Sequence, residues 1–221
     1  ALIELKNPVF VLDSLSMDSY FCFLEGTLID TPDGAVPVET LREGDLVLTS
    51  DGRETPVLWL GEQFVPTPFV PREVGNPIRI AANAIADGVP RRDLFVSPDH
   101  AICIDDILYN ANVLVNGTTI HQVERMPMNG FMYYHVETEA HELILAEGCP
   151  AETFIDFAGR DRFRNFAAYC ERFGEGRVIP EMALMRVPSK RLLPQAIRER
   201  LARRAEAALA PDEDQVGAAA A

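Results

Sequence analysis

The chain has 221 residues, 48% of them apolar, enough to bury a core without disulfide staples. Its 20 basic and 34 acidic side chains leave a net charge of −14, which argues against a sequence-independent grip on nucleic acid or anionic lipid, since both need clustered positive charge. No run reaches the roughly 18 apolar residues of a membrane helix, and cysteines scattered at 22, 103, 149 and 170 form no disulfide framework.

Residues 1–21 read as an upstream segment. The stretch ALIELKNPVFVLDSLSMDSY lacks a basic start and carries Glu4, Asp13 and Asp18, so it does not read as a signal peptide. A start at Ala1 fits either a removed Met or a piece of a longer chain, and residence in the cytoplasm or export from a longer precursor both stay open. Reduced, scattered cysteines suit the cytoplasm.

From residue 27 to 147 short β-prone runs follow one another: TLID, AVPVE, DLVLTS, TPVLWL, PIRIAA, DLFVS, AICI, NVLV, HQVER, MYYHVET and ELILA. Turn residues separate them, among them Pro32-Asp33-Gly34, Asp51-Gly52, Ser97-Pro98-Asp99, Asn116-Gly117 and Asn129-Gly130. This spacing predicts a mainly β domain, without the fixed period of a propeller or solenoid.

Residues 165–210 are expected to form a helical extension. DRFRNFAAYCERF places Phe163, Phe166, Ala167 and Cys170 at helical spacing, and PQAIRERLARRAEAALA reads as a second helix opened by Pro194. Residues 189–210 carry Lys190, Arg191, Arg198, Arg200, Arg203 and Arg204 against Glu199 and Glu206. A basic helix on an acidic protein is a possible docking segment for a protein partner; the plainer reading is a solvated face lying on its own acidic domain. Residues 211–221 are expected to be a disordered tail.

Three local patterns carry chemistry. Cys22-Phe23 is followed by Gly26-Thr27-Leu28-Ile29 and by VPVETLREGDLVLT; Ser97-Pro98-Asp99-His100 comes next; Tyr134-His135-Val136-Glu137 then runs into His141-Glu142-Leu143-Ile144-Leu145-Ala146-Glu147-Gly148. Together and in this order they resemble the Hint (Hedgehog/intein) domain, most closely in the bacterial Hedgehog/intein-like autoprocessing proteins. The resemblance covers residues 20–164, with the Hint-like domain itself taken as 22–164. It implies a compact, pseudo-symmetric β-fold and autoprocessing, with no cofactor and no metal.

The resemblance places the scissile bond at Phe21-Cys22, with the Cys22 thiol attacking the Phe21 carbonyl. Cysteine suits this step, being intrinsically nucleophilic and partly ionised near neutral pH when free. Covalent connection supplies proximity, and the planar amide with its poor nitrogen leaving group is the obstacle. A histidine that protonates the departing nitrogen lowers it. By position in the family pattern His100 is that donor, Ser97 holds the scissile amide or orders the loop, and His135 sits where many members place an Asp that helps the second step.

Each residue also has a plainer reading. Ser97 to His100 is a turn between strands, His135 an outward polar position, His141 a satisfied histidine at a strand entrance, and His121 a surface residue. Cys22 among Phe21, Phe23 and Leu24 is a small core hydrophobe, as Cys103, Cys149 and Cys170 are taken to be. Cys22, His100 and Cys103 are too few for a closed zinc site.

The pattern departs from inteins after Leu145, where no His-Asn pair precedes a Cys, Ser or Thr, so splicing is not expected. What remains is an N-to-S acyl shift followed by attack of water or a small alcohol, amine or thiol on the thioester, releasing or transferring the upstream polypeptide. The sterol transfer of Hedgehog proteins is not carried over, since residues 154–221 offer no apolar tract for it. The alternative is an inert Hint-fold structural or interaction module.

Overall fold

A computed structural model describes residues 21–155, 159–174 and 177–210. The upstream segment before Phe21 and the tail from residue 211 lie outside the described residues. The short runs become strands in the expected place: β1 (Phe23–Leu24), β2 (Leu28–Thr31), β3 (Gly34–Pro37), β4 (Leu46–Leu48), β5 (Glu54–Pro56), β6 (Trp59–Val65), β7 (Ile78–Ile80) and β8 (Leu94–Val96). They continue as β9 (Ala101–Ile104), β10 (Ile107–Asn110), β11 (Ile120–Gln122), β12 (Phe131–Glu137), β13 (Leu143–Ala146), β14 (Cys149–Glu152) and β15 (Met185–Val187). Helices are α1 (Arg72–Gly75), α2 (Phe166–Phe173) and α3 (Gln195–Leu209), with a few 3₁₀ turns.

One sheet runs β11-β7-β8-β1-β12-β6, a second runs β15-β10-β9-β14-β13-β2-β3, and β4 with β5 forms a two-stranded ribbon. The two large sheets share a core of aliphatic residues such as Ile29, Leu94, Ile102 and Ile144. A smaller cluster holds Cys22, Trp59, Tyr133, Phe154, Phe163 and Tyr169.

The structure corrects three local expectations. NVLV is not a strand: Ala111–Leu114 forms a 3₁₀ turn, and the strand lies earlier, at Ile107–Asn110. The hairpin joining β9 to β10 is made by Asp105 and Asp106, both at positive φ, a turn conformation that carboxylates tolerate but advertise less than Asn-Gly does. The first predicted helix starts late, at Phe166, because both ends of the Asn165 side-chain amide are taken by β6: Oδ1 accepts the Glu62 N–H at 3.0 Å and Nδ2 donates to the Leu60 carbonyl at 2.7 Å. The extension is also not helical throughout, since β15 pairs in parallel with β10 at the edge of the second sheet.

Helix α3 forms where expected, with Pro194 in the cap position. Ile197, Leu201 and Ala205, spaced four apart, are its buried residues, and Ile197 and Leu201 join the main core. Its basic face lies against the acidic domain through Arg200–Asp105 and Arg204–Asp87 pairs.

Candidate functional site

Strand β1 is only two residues long, yet it lies between β8 and β12. Phe23 is level with Val96 on one side and Tyr134 on the other. In antiparallel pairing the residue before Phe23 therefore falls level with the residue after Val96 and the residue after Tyr134. The register alone brings Cys22 beside Ser97 and His135.

The contacts agree. The Cys22 N–H donates to Ser97 Oγ at 2.7 Å, and the Ser97 N–H donates to the Cys22 carbonyl at 2.9 Å. Cys22, Ser97 and His100 have no exposed surface, and His135 is buried beside them. The Cys22 Sγ faces Gln63 Oε1 at 3.7 Å. Burial pushes the Cys22 thiol well above its ordinary range, only partly offset by the Phe21 backbone.

The Ser97 to His100 segment is a turn, and a tightly held one. His100 N–H donates to the Ser97 carbonyl, Ala111 N–H to the His100 carbonyl and Asn112 N–H to the Pro98 carbonyl. Asp99 Oδ1 accepts from both Asn110 and Asn112. The His100 ring rests on Phe23 at 4.4 Å and lies 5.6 Å from the His135 ring, which in turn packs on Phe154 at 5.1 Å. Neither His100 ring nitrogen makes a hydrogen bond of ordinary geometry among the described residues, although the Phe21 backbone lies close enough to act on the ring. Burial lowers its pKa to about 4, opposed by Glu152 and by the Phe21 backbone, as a carbonyl beside the ring would oppose it. His135 is pushed well down too, by burial first and then by His100. At neutral pH both rings are uncharged bases.

Comparison with known proteins shows the family. A family model described as a Hint domain matches residues 21–158. The chain belongs to the Hint-domain family. Its mainly β architecture with a C-terminal helix is the Hint fold. Similar solved structures include a bacterial intein-like domain from Clostridium thermocellum (16% identity, covering 62% of this chain and all of that one, TM-score 0.45). The MchDnaB-1 intein (13%, 58% and 98%, 0.42) and the gp41-1 intein (14%, 59% and 96%, 0.41) are similar as well. No curated protein matches.

Within this Hint domain the other singled-out residues fall apart from Cys22. His141 is buried with both ring nitrogens engaged: Met182 N–H donates to Nδ1 at 3.1 Å, so Nε2 carries the hydrogen and donates to Glu152 Oε2 at 3.2 Å. His121 is partly exposed and meets the Thr118 carbonyl. Cys149 is a buried core residue whose thiol is pushed up to about 12 by burial, while Cys103 and Cys170 are half-buried.

Two residues near the site escape a reading of local motifs. Glu152 on β14 is fully buried and accepts the Ala101 N–H at 2.7 Å, beside His100. Arg186 on β15 pairs with it through two nitrogens, at 3.2 and 2.5 Å. Burial works against the Glu152 charge, but the bonds from His141 and Arg186 overcome it and hold the carboxyl well below the usual range. A buried-charge partner 34 residues away leaves no signal in a local pattern.

Proposed function

We propose that this Hint domain cleaves its own backbone at Phe21-Cys22 by an N-to-S acyl shift, without splicing. The observation that carries the reading is the Cys22 N–H bound to Ser97 Oγ at 2.7 Å, because that nitrogen is the leaving group. His100, uncharged at rest and beside the Phe21 backbone, takes the Cys22 thiol proton. Sγ bonds to the Phe21 carbonyl carbon, the carbon–nitrogen bond breaks, and the imidazolium returns the same proton to the Cys22 nitrogen. No proton is gained or lost overall.

Ser97 holds the N–H along the β1–β8 hydrogen-bonding direction. The lone pair that develops on nitrogen as resonance is lost then points out of that direction and is left for the imidazolium. His135, level with Cys22 on β12, serves the second step by taking the proton of the incoming nucleophile. Water would release the upstream polypeptide; an alcohol, amine or thiol would become attached to its Phe21 carboxyl.

A second reading, an inert Hint module, is favoured by one observation: Cys22 is fully buried, with its thiol held protonated and facing Gln63. Hydroxylamine separates the two. The self-cleaving reading predicts a Phe21 hydroxamate on the released fragment, absent from Cys22→Ala, whereas an inert module yields none over days.

A further inference from the structure

We propose that Glu152, clamped by Arg186 from β15, is the positioning residue of the cleavage site, so that self-cleavage depends on a strand outside the residues matched by the Hint family model. This rests on the cleavage reading and deepens it.

The geometry runs in two arms from Arg186. One guanidinium nitrogen bonds Glu152 Oε1 at 3.2 Å, and that same oxygen accepts the Ala101 N–H at 2.7 Å, fixing the backbone immediately after His100. The same nitrogen also reaches Asn110 Oδ1 at 3.5 Å, and Asn110 holds Asp99 from the other side. The Ser97 to His100 turn is thereby tied at both Asp99 and Ala101 to one side chain of the extension. Arg186 itself is oriented by Glu181 at 3.1 Å. The fork geometry requires arginine, since an ammonium cannot serve both carboxylate oxygens in one plane.

The charge matters as much as the hydrogen bonds. During the acyl shift His100 must become an imidazolium while its side chain has no exposed surface. The charged and titratable groups acting on it are Glu152, which favours that form, and Arg186 and His141, which oppose it; His135 lies against its ring. A carboxylate held ionised beside the ring steadies the cation only while it lasts, which lowers the barrier. Without Glu152 the remaining charged and titratable neighbours, Arg186 and His141, disfavour it, and the Phe21 backbone alone favours it.

The test uses the full chain with a small folded tag upstream, following hydroxylamine-dependent cleavage against pH. Glu152→Gln keeps the shape and an acceptor for Ala101 but removes the charge. Its expected result is a rate at least about ten-fold lower and an acid limb moved down by about one pH unit, with the melting transition still cooperative. Arg186→Met is expected to lose rate similarly and Arg186→Lys to retain more of it than Arg186→Met. This second pair decides the matter if Glu152→Gln does not fold. A wild type that cleaves beside a folded Glu152→Gln with unchanged rate and acid limb overturns this inference alone. A wild type with no Cys22-dependent cleavage overturns the functional reading and the role of Glu152 with it.

Discussion

Cys22 and Ser97 exchange two hydrogen bonds: the Cys22 N–H goes to the Ser97 hydroxyl at 2.7 Å, and the Ser97 N–H returns to the Cys22 carbonyl at 2.9 Å. The N–H of the peptide group at which the chain would break, and the carbonyl of the peptide group after it, are thus held by one residue just after β8. Ser97→Ala leaves a buried N–H without its acceptor, at a cost of about 1–3 kcal/mol in stability. Cleavage is expected to slow by about 10- to 100-fold through lost positioning. Thermal melts alongside cleavage time courses check both; an unchanged rate would remove Ser97 from the mechanism.

His100 makes the fold acid-sensitive. In the unfolded chain its ring gains a proton near 6.5, but in the fold only near 4. Between those values the unfolded state binds more protons, so stability is complete above about 6.5 and falls as pH drops towards 4. The loss is on the order of 3 kcal/mol for this ring. Urea unfolding of Cys22→Ala at several pH values should show it, and adding His100→Gln should flatten the slope, leaving the part due to His135.

Gly61 sits level with His135 across β6 and β12. A methyl group there would meet the Phe163 ring at 2.7 Å and the Trp59 ring at 2.9 Å. Gly61→Ala should therefore displace Phe163, whose ring lies 6.4 Å from His135, and destabilise the fold by about 1–3 kcal/mol. Unfolding curves and the His135 side-chain NMR shifts report the two effects, and a neutral substitution with unmoved shifts would contradict the packing described.

Helix α3 is held by its apolar face more than by its basic one. Leu201 is almost fully buried, so Leu201→Ala should cost about 2–4 kcal/mol. The surface pairs of Arg200 and Arg204 should each contribute under about 1 kcal/mol. Denaturant titration of the single variants ranks them; a larger loss from Arg200→Ala or Arg204→Ala than from Leu201→Ala would reverse the picture.

What the sequence made legible follows from where the information sits. Turn residues such as Asp51-Gly52 and Asn129-Gly130 mark strand ends locally, and the ordered Cys22, Ser97-Pro98-Asp99-His100 and Tyr134-His135 blocks identify the family. The hairpin turns at Asp105-Asp106 and Glu147-Gly148 use positive φ at a carboxylate, so β10 and β14 were hidden behind weak turn signals. The sequence leaves His135 open between an outward position and the site because β12 is buried on both faces, which erases the alternation. Glu152 and Arg186 were invisible: a buried ion pair between distant strands is a fact of tertiary packing, and neither residue differs in its own neighbourhood from a solvated charge.

The most direct test is the intact mass of the full chain bearing an upstream tag, followed with and without hydroxylamine beside Cys22→Ala and His100→Ala. Self-cleavage gives two products that separate between Phe21 and Cys22, the larger beginning with a free Cys22 amine, and both are expected to be lost in the two variants. A wild type that stays intact over days in hydroxylamine, or one that is cut equally in Cys22→Ala, would contradict it.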